Sequence, residues 1–346
     1  MAAGHHDADL VLEGGGVKGI GLVGAVSALE KAGYRFRRVA GTSAGAIVGA
    51  LVAAGIPARK LHDVMAAVDY RKFRDGSFAV EHLGLPAQVA TLVADKGIYD
   101  GNHLKHWLGA LLSDAGVETF GDLRISDDRD SALSGDRSYR LVVCAADVSR
   151  GELVRLPWDY RARYGRDPDK LKVVDAVRAS MSIPLFYKPA RIHSDLTRSD
   201  DLLVDGGLIS DFPVELFDRD DGRTIRWPTF GVKLSARRNA NQVAHPTGND
   251  LQFVEALIDT MLNGHDQMHL DDPCVQARTI FVDSLDVLPV DFDIDRVTQR
   301  RLFQSGVDAT TRFLATWDFA AYVGRCRTGV SGAAPARGAR GGSARR

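Results

Sequence analysis

From its amino terminus this chain alternates between short apolar strands and helical segments, and that alternation limits the folds open to it. Asp9 to Glu13 (DLVLE) is apolar enough for a buried strand and runs into a glycine turn. Val17 to Lys31 then sets Val17, Ile20, Val23, Val26 and Leu29 at a steady spacing of three, which suits one face of a helix closed by Gly33. Arg38 to Gly41 reads as the end of a second strand. After a sharp turn, Ala44 to Ala54 reads as a helix of small residues stopped by Gly55-Ile56-Pro57. A strand, helix, strand, helix order with tight turns predicts an α/β fold with a mostly parallel central sheet and crossover helices.

The rest of the chain fits this plan. Asp100 is expected to N-cap a helix carrying Leu104, Trp107, Leu108, Leu111 and Leu112. Tyr139 to Ala146 predicts a strand, and Glu152 to Pro157 its hairpin partner across Ser149-Arg150-Gly151. A helix is expected over Asp169 to Ser180, with strands over Asp201 to Val204, Phe230 to Leu234 and Thr279 to Val282. Longer helical patterns cover Asp250 to Leu270 and Asp295 to Tyr322. Asp127 to Asp136 reads as an exposed loop. The Gly, Ala, Ser and Arg tail over residues 328–346 lacks large apolar residues and is expected to be disordered, leaving residues 8–327 as one domain.

Composition removes several classes of function. A formal net charge of -1 gives no global basic field for nucleic acid. The tail arginines (Arg337, Arg340, Arg345, Arg346) are the local exception, expected to be solvated. Cys144, Cys274 and Cys326 are far apart with no CxxC pair, which argues against a disulfide framework or zinc site and for free thiols in a reducing compartment. Met1 to Asp9 has no basic region followed by an apolar core, so no signal peptide and a cytoplasmic location are expected. The longest apolar stretch, Ala44 to Ile56, is thirteen residues, short of the about 20 a membrane helix needs. Membrane contact is expected to be peripheral at most.

Two local patterns carry chemistry. Gly41-Thr42-Ser43-Ala44-Gly45 is a GxSxG sequence between a strand end and a helix, where Ser43 can sit on a strained turn and the helix start points free N–H groups at its oxygen. Gly14-Gly15-Gly16-Val17-Lys18-Gly19 follows the first strand and exposes consecutive N–H groups to an anion. It spells GxGxxG, but a dinucleotide site wants an acid at the end of the second strand, and that strand ends in Ala40-Gly41-Thr42-Ser43. An oxyanion hole is the better reading, and Lys18 can add charge for a substrate phosphate. Asp205-Gly206-Gly207 follows the apolar strand Leu202-Leu203-Val204; taken alone it is a turn initiator.

These three blocks, in this order, resemble the signature of the patatin-like phospholipases. Ala179-Ser180-Met181-Ser182-Ile183-Pro184 with Phe186 is similar to a fourth family block, Ala-Ser-x-x-x-Pro, and the resemblance covers about Ala8 to Pro213. It implies a three-layer α/β/α fold with helices on both faces of the sheet. It also implies a Ser43–Asp205 dyad without histidine or cofactor, cleaving phospholipid or other fatty-acyl esters through an acyl-enzyme. Gly14, Gly15, Gly16 and Ala44 would supply the oxyanion hole, with Lys18, Gly19, Gly41, Gly45, Gly206 and Gly207 supporting the motifs. One departure stands out: the family's Asn-x-Pro after the DGG is Asp211-Phe212-Pro213 here.

Rival readings remain open. His265 or His269 can complete a Ser-Asp-His triad acting on non-lipid esters. Their His-x-x-x-His spacing lacks the Glu of HExxH, so no metal is expected. A non-catalytic nucleotide- or lipid-binding module using the glycine loop alone is a third possibility. Tyr70 to Leu92, with Phe73, Phe78, Leu83, Leu85 and Leu92, is a candidate lid. The residues do not specify head group, acyl position or oligomeric state.

Overall fold

Alternation of apolar side chains along the early strands decides which surfaces the sheet buries. In β1 (His6–Leu12), Ala8, Leu10 and Leu12 join the large core on one face, while Val11 packs on the other with Ala40, Val142, Phe212, Val214, Phe217 and Val275. The computed structural model describes residues 6–75, 96–126, 135–219, 221, 223, 225–234, 260, 271–285 and 287–327.

After β1 a 3-10 turn (Gly16–Gly19) leads into α1 (Ile20–Lys31), β2 (Tyr34–Thr42), α2 (Ala44–Ala53) and α3 (Ala58–Ala67). Next come β3 (Gly97–Tyr99), α4 (Asn102–Asp114), β4 (Leu141–Asp147), β5 (Glu152–Leu156), α5 (Tyr160–Tyr164) and α6 (Val173–Ser180). The chain continues through β6 (Leu185–Tyr187), β7 (Ala190–Ser194), β8 (Ser199–Asp205), β9 (Thr229–Lys233), α7 (Pro273–Ala277) and β10 (Thr279–Phe281). It ends with α8 (Arg296–Leu314) and α9 (Phe319–Cys326).

The main sheet runs β10-β9-β1-β2-β4-β8-β7, with β5 also on β4. The pairs β10–β9, β9–β1, β1–β2 and β2–β4 are parallel, while β4–β8, β8–β7 and β4–β5 are antiparallel. The result is the expected α/β arrangement: a three-layer α/β/α fold around a mostly parallel sheet. The predicted β4–β5 hairpin forms in register from Val143↔Leu156 to Asp147↔Glu152.

Four expectations need correction. The cap of α4 is Gly101, at φ 68, and not Asp100. The Asp75 carboxylate takes the free N–H groups of Gly101 and His103, each at 2.6 Å, whereas Asp100 is tied to Lys188 at 2.8 Å. The helix expected over Asp295 to Tyr322 is two helices, because Asp318 caps a new one by accepting from Ala321 N–H at 2.9 Å. The expected helix over Asp169 to Ser180 begins only at Val173. Finally, Cys274 and Cys326 form a disulfide. The 52 residues between them hide the pairing in sequence, but α7 and α9 pack and bring their Cα atoms to 5.6 Å. Cys144 is buried and free, as expected. Apart from Thr260, the helical pattern over 250–270 lies outside the described residues, as does the tail.

Candidate active site

The sheet places Ser43 and Asp205 on either side of one strand. Thr42, the last residue of β2, lies opposite Cys144 of β4, so Ser43 follows at the level of Ala145. Asp205, the last residue of antiparallel β8, lies opposite that same Ala145. Two strand spacings put their backbones about 9–10 Å apart, a gap two side chains can close above β4.

The turn at Ser43 has the geometry of a nucleophile elbow. Its φ of 50 and ψ of -121 lie where a non-glycine residue is strained. The two flanking glycines make the turn possible by close approach. A Cβ on Gly41 would sit 2.2 Å from the Gly45 carbonyl oxygen, and one on Gly45 would sit 2.3 Å from that of Leu12. Sterically the motif therefore needs both.

The block from Ser180 to Ser182, at the end of α6, brackets both residues. Ser180 Oγ accepts the Ser43 N–H at 2.8 Å and donates to the Cys144 carbonyl at 2.6 Å. The Ser182 carbonyl accepts the Asp205 N–H at 2.9 Å. Met181 Sδ lies 3.6 Å from Ser43 Oγ. No role for these side chains was readable from the sequence, although the block itself stood out. A serine that bridges two chain segments shows only once both are placed.

Asp205 is fully buried, with Oδ1 accepting the Gly207 N–H at 2.9 Å. Among the described residues Oδ2 has no hydrogen-bond partner. Burial pushes the carboxyl up to about 7, opposed by the nearby Ser43 hydroxyl and by the Gly207 N–H. The serine hydroxyl is thus close enough to influence the acid while aligned on the sulfur of Met181.

The glycine loop approaches from β1. Gly14 N–H is committed to Asp211, at 3.1 Å from Oδ1 and 3.4 Å from the carbonyl, so this expected oxyanion donor instead anchors the loop. Val17 N–H goes to the Pro289 carbonyl at 3.0 Å and Lys18 N–H to that of Gly15 at 3.1 Å. The N–H groups of Gly15, Gly16 and Ala44 have no such acceptor among the described residues. Glu13, just before the loop, is buried against Lys233 and accepts from Leu234 N–H, which ties the loop to β9. Lys18 is buried, and no carboxylate pairs with it among the described residues. Asp211, noted in sequence only as a departure, has a place in the site because it carries the loop.

His265 and His269 lie outside the described residues, as do Phe78, Leu83, Leu85 and Leu92 of the candidate lid. Tyr70 and Phe73 at its start are buried in the core, with their rings edge to face. No cluster of metal-ligating side chains is present among the described residues, and none of their helices is long and apolar enough to cross a membrane.

Comparison with known proteins bears on the family and the fold. The uncharacterized protein YqhO of Bacillus subtilis is 35% identical over 90% of this chain and 99% of its own length. An uncharacterized NTE family protein of Mycobacterium tuberculosis is 28% identical over 62% of this chain, a match that spans only 29% of that protein. The crystal structure of VipD from Legionella pneumophila superposes with a TM-score of 0.51 at 17% identity, covering 91% of this chain and 67% of VipD, and shows a shared fold. The sequence model of the patatin-like phospholipases matches residues 10–218, a span that holds the glycine loop, the elbow, the α6 block and Asp205. The chain belongs to the patatin-like phospholipase family.

Proposed function

We propose that this protein is a lipid acyl hydrolase of phospholipase A type, with Ser43 as nucleophile and Asp205 as its base. The observation that carries the reading is a strained, buried serine at the level of a buried aspartate whose Oδ2 has no hydrogen-bond partner among the described residues. Rotation about χ1 turns the hydroxyl from Met181 to Oδ2. Asp205 takes the proton as Oγ attacks the ester carbonyl, and the oxyanion meets the N–H groups of Gly15, Gly16 and Ala44. Each such donor is worth about 10²–10³ in rate. Collapse breaks the ester bond. The proton on Asp205 passes to the leaving alkoxide, and the acyl group stays on Ser43. Asp205 then removes a proton from water, which attacks the acyl-enzyme and releases the fatty acid. Lys18 is the cation available to a substrate phosphate. Access to lipid is peripheral.

Product analysis on mixed lipids tests the proposal. Free fatty acid is expected from the wild type and not from Ser43→Ala, and the lysolipid left behind identifies the acyl position cleaved. Replacing His265 and His269 together is expected to leave hydrolysis intact. Loss of hydrolysis in that variant would favour the histidine triad over the dyad, and fatty-acid release by Ser43→Ala would remove Ser43 from the chemistry altogether.

A further inference from the structure

A pocket lies against α6, and neither Ser43 nor Asp205 lines it. It is a half-open pocket of about 330 Å³, bounded by α4, α6, β7 and the end of β5. That is the low end of the range for small-molecule pockets, about 300–1,000 Å³, and suits a single chain over a two-chain lipid. Its lining is mixed: Leu156, Leu171, Ala176, Ala179 and Leu203 lie buried beneath it, beside Asn102, Asp175 and His193.

The rim has an excess of positive charge. Lys105 is paired with Asp175 at 2.6 Å, and His193 with Asp200 at 2.9 Å. Arg178, in the wall, is consumed by the carbonyls of Asp100 and Lys188 at 2.7 and 3.0 Å. Arg166 and Arg191 are exposed at the rim and have no carboxylate partner among the described residues; Arg166 only lies over the Tyr160 ring, at 5.9 Å. Two guanidinium groups above the buried aliphatic side chains complement a molecule with an anionic head and one apolar tail. Guanidinium is also the side chain best shaped to grip a carboxylate through paired hydrogen bonds.

We propose that this cavity is a binding site for a fatty-acid carboxylate, with the head on Arg166 and Arg191 and the chain over Ala176 and Ala179. The site is separate from the acyl-enzyme position. It touches the same helix, because Ala179 in the cavity wall immediately precedes Ser180, whose Oγ holds the Ser43 backbone. This inference does not depend on the dyad being catalytic.

The test uses monomeric dodecanoate with a diazirine near its chain end, photolysed on the full-length protein and on Ser43→Ala, with the labelled peptides mapped by mass spectrometry. One label per chain is expected on α6 or β7 in both proteins, and Arg166→Glu/Arg191→Glu is expected to weaken dodecanoate binding about tenfold or more. Dodecanol of the same chain length should bind the wild type and the double variant alike. Labels confined to the Gly14–Gly16 loop and Met181 would place the chain in the hydrolytic site and overturn the proposal. Unchanged dodecanoate affinity in the double variant would do the same. Failure of ester hydrolysis would leave these readouts unaffected.

Discussion

At the amino-terminal end of the sheet, a buried acid and a half-buried one are both met by arginine. Asp9 of β1 lies against Arg38 of β2, with the guanidinium also 4.8 Å from the centre of the Phe217 ring. Asp218 is gripped by Arg278 at 2.5 and 2.7 Å and by Arg327 at 2.6 Å. At the carboxyl end Asp205 is just as buried, but no cation among the described residues offsets its burial; it has the Gly207 N–H and the Ser43 hydroxyl nearby. A buried acid with a bound arginine is committed to that pair. A buried acid without one, as at Asp205, is pushed up to about 7 by burial, at a cost to the folded state, which suits the base proposed above. At the carboxyl end the contrast is between neighbours: Glu13 is paired with Lys233, whereas Asp205 faces no cation among the described residues.

The sharpest way to break this comparison is Asp205→Asn. Lipid hydrolysis should fall by about 10⁴-fold or more, as for other members of a nucleophile–base unit. The fold should gain where the wild type carries a buried charge. The Asp205 carboxyl moves from an ordinary 3.8 to about 7 on folding, so the native state keeps a proton that the unfolded chain has lost. Stability from this group is full below about pH 4 and declines as pH rises through about 7. At pH 8 the variant should be more stable by up to about 4 kcal/mol, from about 1.4 kcal/mol for each pKa unit, and should lack this slope in denaturant titrations. In the wild type the base must be ionised, so kcat/KM should rise with pH along a limb centred near 7. A loss of stability at pH 8 in Asp205→Asn would mean that the two ends are built alike.

The opposite end should respond in the opposite sense. Arg38→Met removes this guanidinium from buried Asp9 and should cost about 3–5 kcal/mol of stability. The labelling rate of Ser43 by a fluorophosphonate should not change while the protein remains folded. Thermal or urea unfolding measures the first and gel fluorescence the second. A drop in labelling rate in the folded variant would show that the Arg38 end supports catalysis as well as stability.

These two ends were not equally legible in sequence. The glycine loop, the elbow and Asp205 are contiguous motifs at strand ends, where local sterics require particular residue types, and their order along the chain is that of the fold. The β1–α1–β2–α2 unit was readable because each period is carried by neighbouring residues. Pairings over long separations were not. Asp218 meets Arg278 across 60 positions, and Cys274 meets Cys326 across 52. The edge strands β6 and β7 were missed too, since half-exposed segments of three and five residues carry little pattern. Ser180 and Asp211 fall between these cases. Each sat inside or beside a recognised block, but its role is a hydrogen bond to a backbone N–H over a hundred residues away.

Asp211 supplies the finest of these tests, because it links a charged residue to the reactive end without taking part in proton transfer. Its carboxylate and carbonyl both accept the Gly14 N–H, at 3.1 and 3.4 Å, which turns that donor away from the substrate and fixes the direction of Gly15 and Gly16. An amide oxygen can accept the same bond, so Asp211→Asn should keep kcat/KM within about threefold. Asp211→Ala removes the stronger acceptor and leaves only the carbonyl. A buried hydrogen bond is worth about 0.5–1.5 kcal/mol, more when charged, so a loss of about 10–30-fold in kcat is expected with KM little changed. Rescue by Asn but not by Ala would show that the charge is dispensable and the acceptor is not. Equal activity in all three proteins would instead assign the loop's position to the Val17 N–H bond with the Pro289 carbonyl and the buried Glu13–Lys233 pair.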